Sequence, residues 1–310
     1  MKDFKSVDEF ISLVGDDCFG LSIGNFDGVH IGHRQFITNF VSDCKKSNLR
    51  SVLMTFVPHP HQILDPKPNF LLNTYSERKE LLSSLGIEFL IEINFTRDFS
   101  TLGPKAFLDR YVFNVNTIKK LYLGHDFAFG ANKTGDFQFV KSYCDNIGVS
   151  VTLENEFKQK NQNVSSTKIR NLLMSGNIKS ANSLLGREFF VKGRIIRGAG
   201  RGKKIGFPTA NIEYSFDRII PKKGVYISTT QYNDLLYHSV TNIGHNPTFV
   251  EDTKLWMETF ILDFDNDIYG EEIKVALVDY IREEKKFSSV NDLVGQIGKD
   301  VNLVKKYFKL

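Results

Sequence analysis

The chain has 310 residues, of which 41% are hydrophobic, and its formal net charge is +4. This length and apolar content suit two ordinary domains with their own hydrophobic cores. So small a net charge argues against a protein that coats nucleic acid and is compatible with anionic small substrates. The three cysteines form no CxxC pair, which argues against a disulfide framework or zinc site and favours a reducing cytoplasm. No apolar run approaches the roughly 18 residues of a membrane span, and the charged N-terminus is unlike a signal peptide, so no membrane partner is expected.

In the first half of the chain, strand-like apolar runs alternate with helical patterns. Strands are expected at 21–23, 51–57, 89–93, 118–123 and 149–153. Helices are expected after residue 33, at 74–85, from residue 104, at 137–147, from within 164–170 and at 178–185. Such alternation predicts a Rossmann-like α/β domain, with a mostly parallel sheet covered on both faces and ligands at the carboxyl ends of its strands.

The stretch 24–33, Gly-Asn-Phe-Asp-Gly-Val-His-Ile-Gly-His, lies between the first strand and its helix. Glycines let the backbone approach a phosphate, and a helix N-terminus favours an anion. His30 and His33 are three residues apart and so lie on one face of the first helical turn, where imidazoles could donate to phosphate oxygens and stabilise developing charge. The alternative is that His33 caps the helix and Asp27 makes a turn.

Two later stretches follow a strand or begin a helix. Residues 124–130, Gly-His-Asp-Phe-Ala-Phe-Gly, combine aromatic rings with a carboxylate, which suits a planar ring with polar edges; the alternative is that Phe129 belongs to the core. Residues 164–170, Val-Ser-Ser-Thr-Lys-Ile-Arg, place hydroxyls at a helix start and a cation on its first turn, which favours phosphate binding. Ser and Thr are ordinary N-caps, but a cap has no need of Arg170.

These motifs resemble those of a known family. Residues 24–33 resemble the GxFDGxHxGH signature of bacterial FMN adenylyltransferases, which belong to the HxGH nucleotidyltransferase superfamily. The later stretches resemble that family's GxDFxFG and SSTxIR motifs, and His59 matches the histidine of its FxPHP segment. The resemblance implies ATP or phosphate binding by Gly24, Asn25, Phe26, Asp27, Gly28, Gly32, Ser165, Ser166 and Thr167. It implies flavin binding by His59, Asp126, Phe127, Phe129 and Gly130, and catalytic roles for His30, His33 and Arg170. The family's more basic stretch after FxFG is absent here, so Lys133 is given no role.

From residue 189 the periodicity becomes that of strands. Strands are expected at 189–196, 209–214, 224–231, 236–243, 255–264 and 273–281, followed by a helix from about residue 288. Consecutive strands without intervening helices predict an antiparallel six-stranded β-barrel with a C-terminal helix. The domain boundary is expected near Leu185, which gives domains 1–185 and 186–310.

A loop at 198–211 is rich in glycine and basic residues. It is neither a Walker A loop nor a dinucleotide fingerprint, because no GK[ST] falls at the right offset and a strand follows. It could fold over a triphosphate, or it could be an exposed basic flap. Thr209 and Asn211 alternate on a predicted strand and so face the same way, which suits Mg²⁺. Glu258 lies in an apolar strand, either facing outward or as a general base kept partly dry.

Residues 200–211, 242–249 and 258–270 look like parts of a riboflavin kinase domain. This resemblance implies Mg²⁺ at Thr209 and Asn211 and a catalytic base at Glu258; Asn246 is given no role. It also implies ATP or phosphate binding by Gly200, Arg201, Gly202, Lys203 and Gly206, and flavin binding by Phe207 and Pro208.

Both halves match in this order, so nearly the whole chain resembles the bacterial bifunctional riboflavin kinase/FMN adenylyltransferases, often called FAD synthetases. The implied small molecules are riboflavin, FMN, ATP and FAD, with Mg²⁺ as cofactor. An HxGH enzyme acting on another phosphate ester would explain only the first half. A non-enzymatic flavin or nucleotide binder is disfavoured by the presence of Glu258 together with Thr209 and Asn211, because binding alone needs no base.

Overall fold

The computed structural model describes the chain except for residues 16, 116, 126, 132–133, 160–161, 199, 214, 216 and 246–254. Asp126, Lys133 and Asn246 therefore lie outside the described residues. The chain packs into two compact units, Met1–Ser166 and Thr167–Leu310. The boundary expected near Leu185 lies further along the chain than this division, and the helices Ser166–Met174 and Ile178–Leu185 lie between the two positions. The expected boundary stays a prediction.

The first unit is built on a six-stranded sheet with strand order β1-β4-β3-β2-β5-β6, in which every pairing is parallel. The strands are β1 (Lys2–Phe4), β2 (Phe19–Ile23), β3 (Arg50–Val57), β4 (Phe89–Asn94), β5 (Ile118–Gly124) and β6 (Ser150–Glu154), with a separate pair β7 (Lys158–Gln159) and β8 (Gln162–Asn163). The helices are α1 (Val7–Val14), α2 (Ile31–Lys46), α3 (Pro60–Leu64), α4 (Tyr75–Ser83), α5 (Arg97–Ser100), α6 (Pro104–Phe107) and α7 (Phe137–Asp145); α6 continues as a π-helical segment (Leu108–Val112). Helix α8 (Ser166–Met174) begins at the last residue of this unit and continues into the second. The predicted parallel α/β fold is confirmed.

Both faces of this sheet are buried. Val52 and Met54 of β3 belong to one hydrophobic core, and Leu53 between them belongs to another. Helix α2 lies close against β2, because a Cβ on Gly20 would collide with the Cys44 sulfur of α2. This close packing fixes the N-terminus of α2 near the carboxyl end of β2.

Several boundaries in the first unit differ from the predicted ones. The capping box of Thr74 and Glu77 is confirmed, but α4 ends at Ser83 rather than at residue 85. Likewise α7 ends at Asp145 rather than at residue 147. In both cases the last expected turn unwinds before a glycine with positive φ, Gly86 at 83° and Gly148 at 71°.

The second unit contains a closed barrel with strand order β10-β13-β12-β11-β14-β9, and its pairings are antiparallel. The strands are β9 (Phe189–Ile196), β10 (Ala210–Ile212), β11 (Gly224–Tyr232), β12 (Leu235–His245), β13 (Leu255–Ile261) and β14 (Glu272–Arg282). The helices are α9 (Ile178–Leu185), α10 (Arg201–Lys204) and α11 (Val290–Phe308). The predicted six-stranded antiparallel barrel with a C-terminal helix is confirmed.

Hydroxyl groups occupy part of the barrel interior. Ser228, Thr230, Ser239, Thr241 and Thr259 are all 0% exposed. Ser228 Oγ lies 2.7 Å from Thr241 Oγ1 and 2.8 Å from Ser239 Oγ. Thr241 Oγ1 lies 2.9 Å from Thr259 Oγ1, and Thr230 donates to Ser239 Oγ at 2.9 Å. These polar side chains satisfy one another across the neighbouring strands β11, β12 and β13.

Two strands of the barrel are shorter than predicted. The strand expected at 209–214 is limited to Ala210–Ile212. The strand expected at 255–264 ends at Ile261, because the chain turns at Asp263, which has a φ of 53°. The stretch between the strands expected at 189–196 and 209–214 was expected to be a loop, but it contains the short helix α10.

Candidate active sites

Three sequence motifs follow the carboxyl ends of neighbouring strands. β2 ends just before residues 24–33, β3 ends just before Pro58 and His59, and β5 ends at Gly124. β3, β2 and β5 are adjacent and parallel, so these ends meet at one edge of the sheet. The chain runs from β2 to β3 on one side and reaches β5 on the other. This edge is therefore the switch point at which open parallel sheets bind ligands.

His30 and His33 stack against each other at the start of α2. Their ring centroids are 3.6 Å apart and their planes differ by 16°. His30 is the N-cap, and its Nδ1 accepts a hydrogen bond from the His33 backbone N–H at 3.2 Å. A neutral imidazole that accepts at Nδ1 carries its proton at Nε2, so this assignment makes Nε2 of His30 a donor. The two rings share one face as predicted, whereas the alternative of His33 as the cap is wrong, because His30 occupies that position.

The turn between β2 and α2 is strained and tightly packed. Phe26 has a φ of 50°, a region that side chains larger than glycine rarely adopt. Its ring folds back over Gly24, where a Cβ would lie 2.8 Å away, and it belongs to a hydrophobic core. At Gly28, with φ of 84°, a Cβ would lie 2.6 Å from Leu72. The buried carboxylate of Asp27 accepts the Leu72 backbone N–H at 3.1 and 3.2 Å. This turn is thus fixed to the segment that precedes α4.

The residues predicted to bind flavin in the first unit lie on the loops after β3 and β5. His59 is 5% exposed and is the N-cap of α3, with its ring centroid 5.0 Å from that of Phe70. Phe127 and Phe129 are half-buried, lie 5.2 Å apart between ring centroids and pack against the core that includes β3 and β5. Half-burial of Phe129 is compatible with both interpretations, contact with a bound ring and packing in the core.

Gly130 directly follows these aromatic residues and has a φ of 74°; a Cβ there would lie 3.0 Å from the backbone nitrogen of Pro104. Gly32, in the first turn of α2, lies under the His30 ring, where a Cβ would be 3.3 Å from Nδ1. At both positions the absence of a side chain permits a close approach of neighbouring groups.

The hydroxyl-rich stretch before Arg170 begins α8. Ser166 is the first residue of the helix, and its Oγ donates to the Asp27 carbonyl oxygen at 2.8 Å. Ser165 and Thr167 beside it are exposed, whereas Arg170 is 8% exposed. The start of α8 is therefore joined to the turn after β2.

In the second unit, a cavity of about 320 Å³ is lined by barrel strands, by the loop before β10 and by α11. A row of cross-strand partners, one from each of five neighbouring strands, runs through this lining, and all but Val225 are polar: Asn211, Glu258, Asn242, Val225 and Arg282. Its apolar lining includes Phe207, Val240, Phe260, Phe287, Leu293 and Ile297. An apolar slot with a polar row along one side suits a planar ring that carries a polar chain.

Glu258 lies in the polar row of this cavity. Met257 and Thr259 on either side of it are 0% exposed and face the barrel interior, so Glu258 faces the cavity. Burial raises the pKa of the Glu258 carboxyl above its usual value; Arg201 opposes this rise and Glu284 adds to it. A carboxylate with a raised pKa is a better proton acceptor. The side chain therefore has the surroundings of a partly dry base.

The glycines before β10 leave room for Thr209 and Asn211. A Cβ on Gly198 would collide with the side-chain amide of Asn211, and a Cβ on Gly202 would lie 3.3 Å from Thr209 Oγ1. Both oxygen-bearing side chains line the cavity beside Glu258, and hard oxygen ligands suit Mg²⁺. Within the described part of the chain, no group of three or more His, Cys, Asp or Glu could hold a metal ion. A cation here would thus need oxygens from water and phosphate as well.

The rest of this loop is largely exposed. Its exposed members are Gly200, Arg201, Lys203, Lys204, Gly206 and Pro208. Phe207 packs edge-on against Phe260, with 5.3 Å between ring centroids. The loop thus contributes the ring of Phe207 and the cation of Arg201 to the cavity lining.

The chain is similar to known proteins over both halves. Residues 17–168 match the family model described as FAD synthetase, and residues 185–308 match the one described as riboflavin kinase. The bifunctional riboflavin kinase/FMN adenylyltransferase of Bacillus subtilis (strain 168) is 34% identical over 292 residues, which covers 93% of this chain and 92% of the relative. The protein of the same name from Escherichia coli (strain K12) is 34% identical, with 94% and 93% covered. This chain belongs to the bifunctional riboflavin kinase/FMN adenylyltransferase family.

A solved structure from Streptococcus pneumoniae, described as a macrolide-efflux protein, has a TM-score of 0.86 at 30% identity and covers 98% of each chain. The two chains therefore share a fold over nearly all of their lengths. Among the described residues of this family member, none of the helices combines the length and apolar content needed to cross a membrane.

Sequence analysis did not single out three charged residues that line the kinase-domain cavity. Arg282 Nε donates to both carboxylate oxygens of Asp300 at 3.1 Å, and its Nη2 donates to Oδ2 at 2.7 Å. Asp300 is 1% exposed, so this pair joins β14 to α11 inside the cavity wall. Glu284 Oε1 accepts from Asn242 Nδ2 at 3.2 Å. The signal in the sequence that could have indicated this site was Asp300, an acidic residue on the otherwise apolar face of the C-terminal helix.

Proposed function

We propose that this chain makes FAD from riboflavin in two ATP-dependent steps, the activities for which its family is named. The C-terminal domain transfers the γ-phosphate of ATP to the 5′-hydroxyl of the ribityl chain, giving FMN and ADP. The N-terminal domain joins FMN to the AMP part of a second ATP, giving FAD and pyrophosphate. The observation that supports this best is the partly dry carboxylate of Glu258 beside Asn211 in an apolar cavity.

The kinase step needs a base because its nucleophile is an alcohol, nearly as weak an acid as bulk water with a pKa of roughly 15.7. Glu258 accepts that proton as the hydroxyl attacks. The apolar cavity lining and Phe207 with Pro208 bind the flavin ring. The phosphate-binding residues of the loop are Gly200, Arg201, Gly202, Lys203 and Gly206. Mg²⁺ at Thr209 and Asn211 would relieve the charge on the phosphates.

The adenylyl transfer needs no base, because a phosphate monoester has a second pKa near ~6 and is already an anion at pH 7. It needs positioning and relief of charge repulsion between two anions. His30, His33 and Arg170 supply these, together with the N-termini of α2 and α8. The other phosphate-binding residues are Gly24, Asn25, Phe26, Asp27, Gly28, Gly32, Ser165, Ser166 and Thr167. His59, Asp126, Phe127, Phe129 and Gly130 bind the flavin of FMN.

One incubation separates this proposal from its rivals. The chain is mixed with riboflavin, ATP and Mg²⁺, and products are followed by chromatography with flavin fluorescence. We expect FMN to form first and FAD later. In the cell we expect the protein to act in the cytoplasm, with which the free cysteines Cys18, Cys44 and Cys144 are compatible. An adenylyltransferase for another ester would leave riboflavin unchanged and would consume ATP only in a second incubation to which that ester is added. A flavin binder would leave both riboflavin and ATP unchanged.

The kinase domain is expected to work alone. A fragment of residues 187–310 contains the whole cavity, so it should phosphorylate riboflavin. A fragment of residues 177–310 should do so with a higher melting temperature, because α9 packs against the barrel: Asn182 Nδ2 donates to the Leu277 carbonyl, and Asn182 Oδ1 accepts from the Phe189 N–H, both at 2.8 Å. A folded but inactive 177–310 fragment would show that the kinase site requires the first domain.

The assignment of Mg²⁺ to Thr209 predicts a change in metal dependence. Thr209→Val keeps the side-chain shape and removes the hydroxyl oxygen, so the Mg²⁺ concentration for half-maximal riboflavin phosphorylation should rise by roughly 10–100-fold, the cost of losing even an outer-shell metal partner. FMN adenylylation by the same preparation is the control and should keep its Mg²⁺ dependence. Superimposable Mg²⁺ titrations for the kinase reactions of variant and parent would remove Thr209 from the metal site.

A further inference from the structure

Helix α4 contains a buried arginine that touches the adenylyltransferase motif. Arg78 is 2% exposed, and its Nη1 donates to the carbonyl oxygen of Asn25 at 2.9 Å. This carbonyl belongs to the peptide that leads into Phe26, whose φ is 50°. A strained backbone of this kind persists only where its surroundings fix it. Arg78 supplies such a constraint at the second residue of the motif.

Residues 72–78 contact both loops of the site. Leu72 donates its N–H to Asp27, and Arg78 binds Asn25, both in the turn after β2. Tyr75 lies between them in sequence, and its Oη accepts the His59 backbone N–H at 2.7 Å, in the loop after β3. One helix start therefore connects the loop that carries the histidine pair with the loop predicted to bind flavin.

The charge of Arg78 is poorly explained by stability alone. Burial lowers the pKa of its guanidinium, while Asp27 and Glu92 favour the charged form. Its Nη2 lies 3.8 Å from Glu92 Oε1, and neither Nε nor Nη2 has a hydrogen-bond partner in the described part of the chain. Glu92 is already paired with Lys5 and with Lys79, at 3.0 Å from the latter. Replacing a buried ion by an apolar side chain is often neutral or stabilising, so a purely structural role would not require arginine here.

We propose that Arg78 and Tyr75 are positioning residues for adenylyl transfer. They fix the backbone at Asn25 and His59, so that the loops after β2 and β3 keep one geometry relative to each other while both substrates are bound. The planar guanidinium suits this task because its charge-assisted hydrogen bond is directional. This inference rests on the adenylyl-transfer site proposed above and adds the residues that act through its backbone.

The test is Arg78→Met, which keeps most of the side-chain volume and removes the donors. We expect kcat for FAD formation from FMN and ATP to fall about 10²-fold, the cost of a small misplacement of reacting groups, with the KM of FMN within about threefold. Lys79→Met is the matched control, because Lys79 is the next residue on α4 and shares Glu92 without touching either loop; its kcat should stay within about twofold of the parent. Riboflavin phosphorylation by each preparation reports the amount of intact chain.

A double-mutant cycle separates positioning from folding. If Arg78 acts through the geometry around the histidines, its substitution should cost much less in a His33→Ala background than in the parent chain. A change in the folded fraction would instead multiply with the His33→Ala loss, and that result would overturn the inference. A parent-like kcat in Arg78→Met would also overturn it.

Tyr75→Phe provides a second measurement if Arg78→Met fails to fold. It keeps the ring, which lies 4.9 Å from the guanidinium, and removes only the hydroxyl that binds the His59 N–H. We expect kcat to fall by roughly 10-fold at an unchanged melting temperature. In a chain that already carries His33→Ala, the same substitution should lower kcat by a smaller factor. Unchanged activity in this variant would contradict the inference. A parent chain that forms no FAD from FMN would instead contradict the proposed function itself.

Discussion

Glu258→Gln is expected to lower kcat for riboflavin phosphorylation by roughly 10²–10⁴, the usual contribution of a general base. The substitution keeps the size of the side chain and removes its charge and basicity. Riboflavin binding should weaken much less, because proton transfer stabilises mainly the transition state. FAD formation from added FMN should be unaffected, since that nucleophile is already ionised. The variant should therefore make FAD from FMN and fail to make it from riboflavin.

Stability provides a control for this variant. Burial raises the pKa of Glu258, so the folded chain favours the neutral acid; ionisation costs stability that grows as the pH rises from the ordinary pKa of the unfolded chain to the raised pKa of the folded one, and the cost is complete above that. Glutamine removes this cost, so the melting temperature at neutral pH should not fall. Equal use of FMN and riboflavin by the variant would make Glu258 an ordinary strand residue. A parallel loss of both activities would indicate coupling between the domains.

The same pKa shift predicts how the kinase depends on pH. Only the ionised carboxylate of Glu258 accepts a proton, so kcat of the parent should fall as the pH drops through the pKa of this group. Because that pKa lies above the usual value for Glu, about 4.3, the fall should begin at a higher pH than for an exposed glutamate. The pH–rate profile of Glu258→Gln should lack this limb.

His33→Ala is expected to reduce adenylyl transfer by roughly 10²–10³, the loss typical of one preorganised donor in a transition state. Riboflavin phosphorylation should continue, so FMN should accumulate where the parent chain makes FAD. Chromatography of both flavins over time measures the two rates in one reaction.

The structure indicates that His33→Ala should remove the imidazole without disturbing the start of α2. The N-cap of α2 is His30, and it accepts the backbone N–H of residue 33, which alanine retains. Helix capping should therefore persist, and the melting temperature should change little. Normal FAD production by His33→Ala would show that stacking on His30 is the whole role of this ring.

The order of elements could be predicted because their signals are local. The helix at Ile178–Leu185 and the strand at Phe189–Ile196 were predicted with the bounds that the structure shows. The capping box of Thr74 and Glu77 was also readable, since it depends on residues three apart. Strand ends were less predictable because distant partners determine where regular pairing stops, as in the short β10, whose registered partners on β13 and β9 lie opposite residues 210–212.

The surroundings of single charged residues could not be predicted. Arg78 and Lys79 are adjacent in one polar helix, yet their side chains are 2% and 27% exposed. Which one is buried depends on how α4 packs against the loops, and the sequence does not contain that rotation. Glu258 presents the same problem, because the face of β13 that carries it becomes a cavity only when α11 and Glu284 are in place.

The hydroxyl groups inside the barrel affect how the stability of the kinase domain depends on temperature. The cores of the first domain include many apolar rings, among them Phe10, Phe19 and Phe40, and exposing apolar surface on unfolding raises the heat capacity. Exposing polar surface lowers it. The buried hydroxyls of the kinase domain are those of Ser228, Thr230, Ser239, Thr241 and Thr259. They reduce the heat-capacity increment of the kinase domain below that of the same barrel with an entirely apolar interior. Its free energy of unfolding should therefore vary less steeply with temperature, on both sides of its maximum, than it would with such an interior.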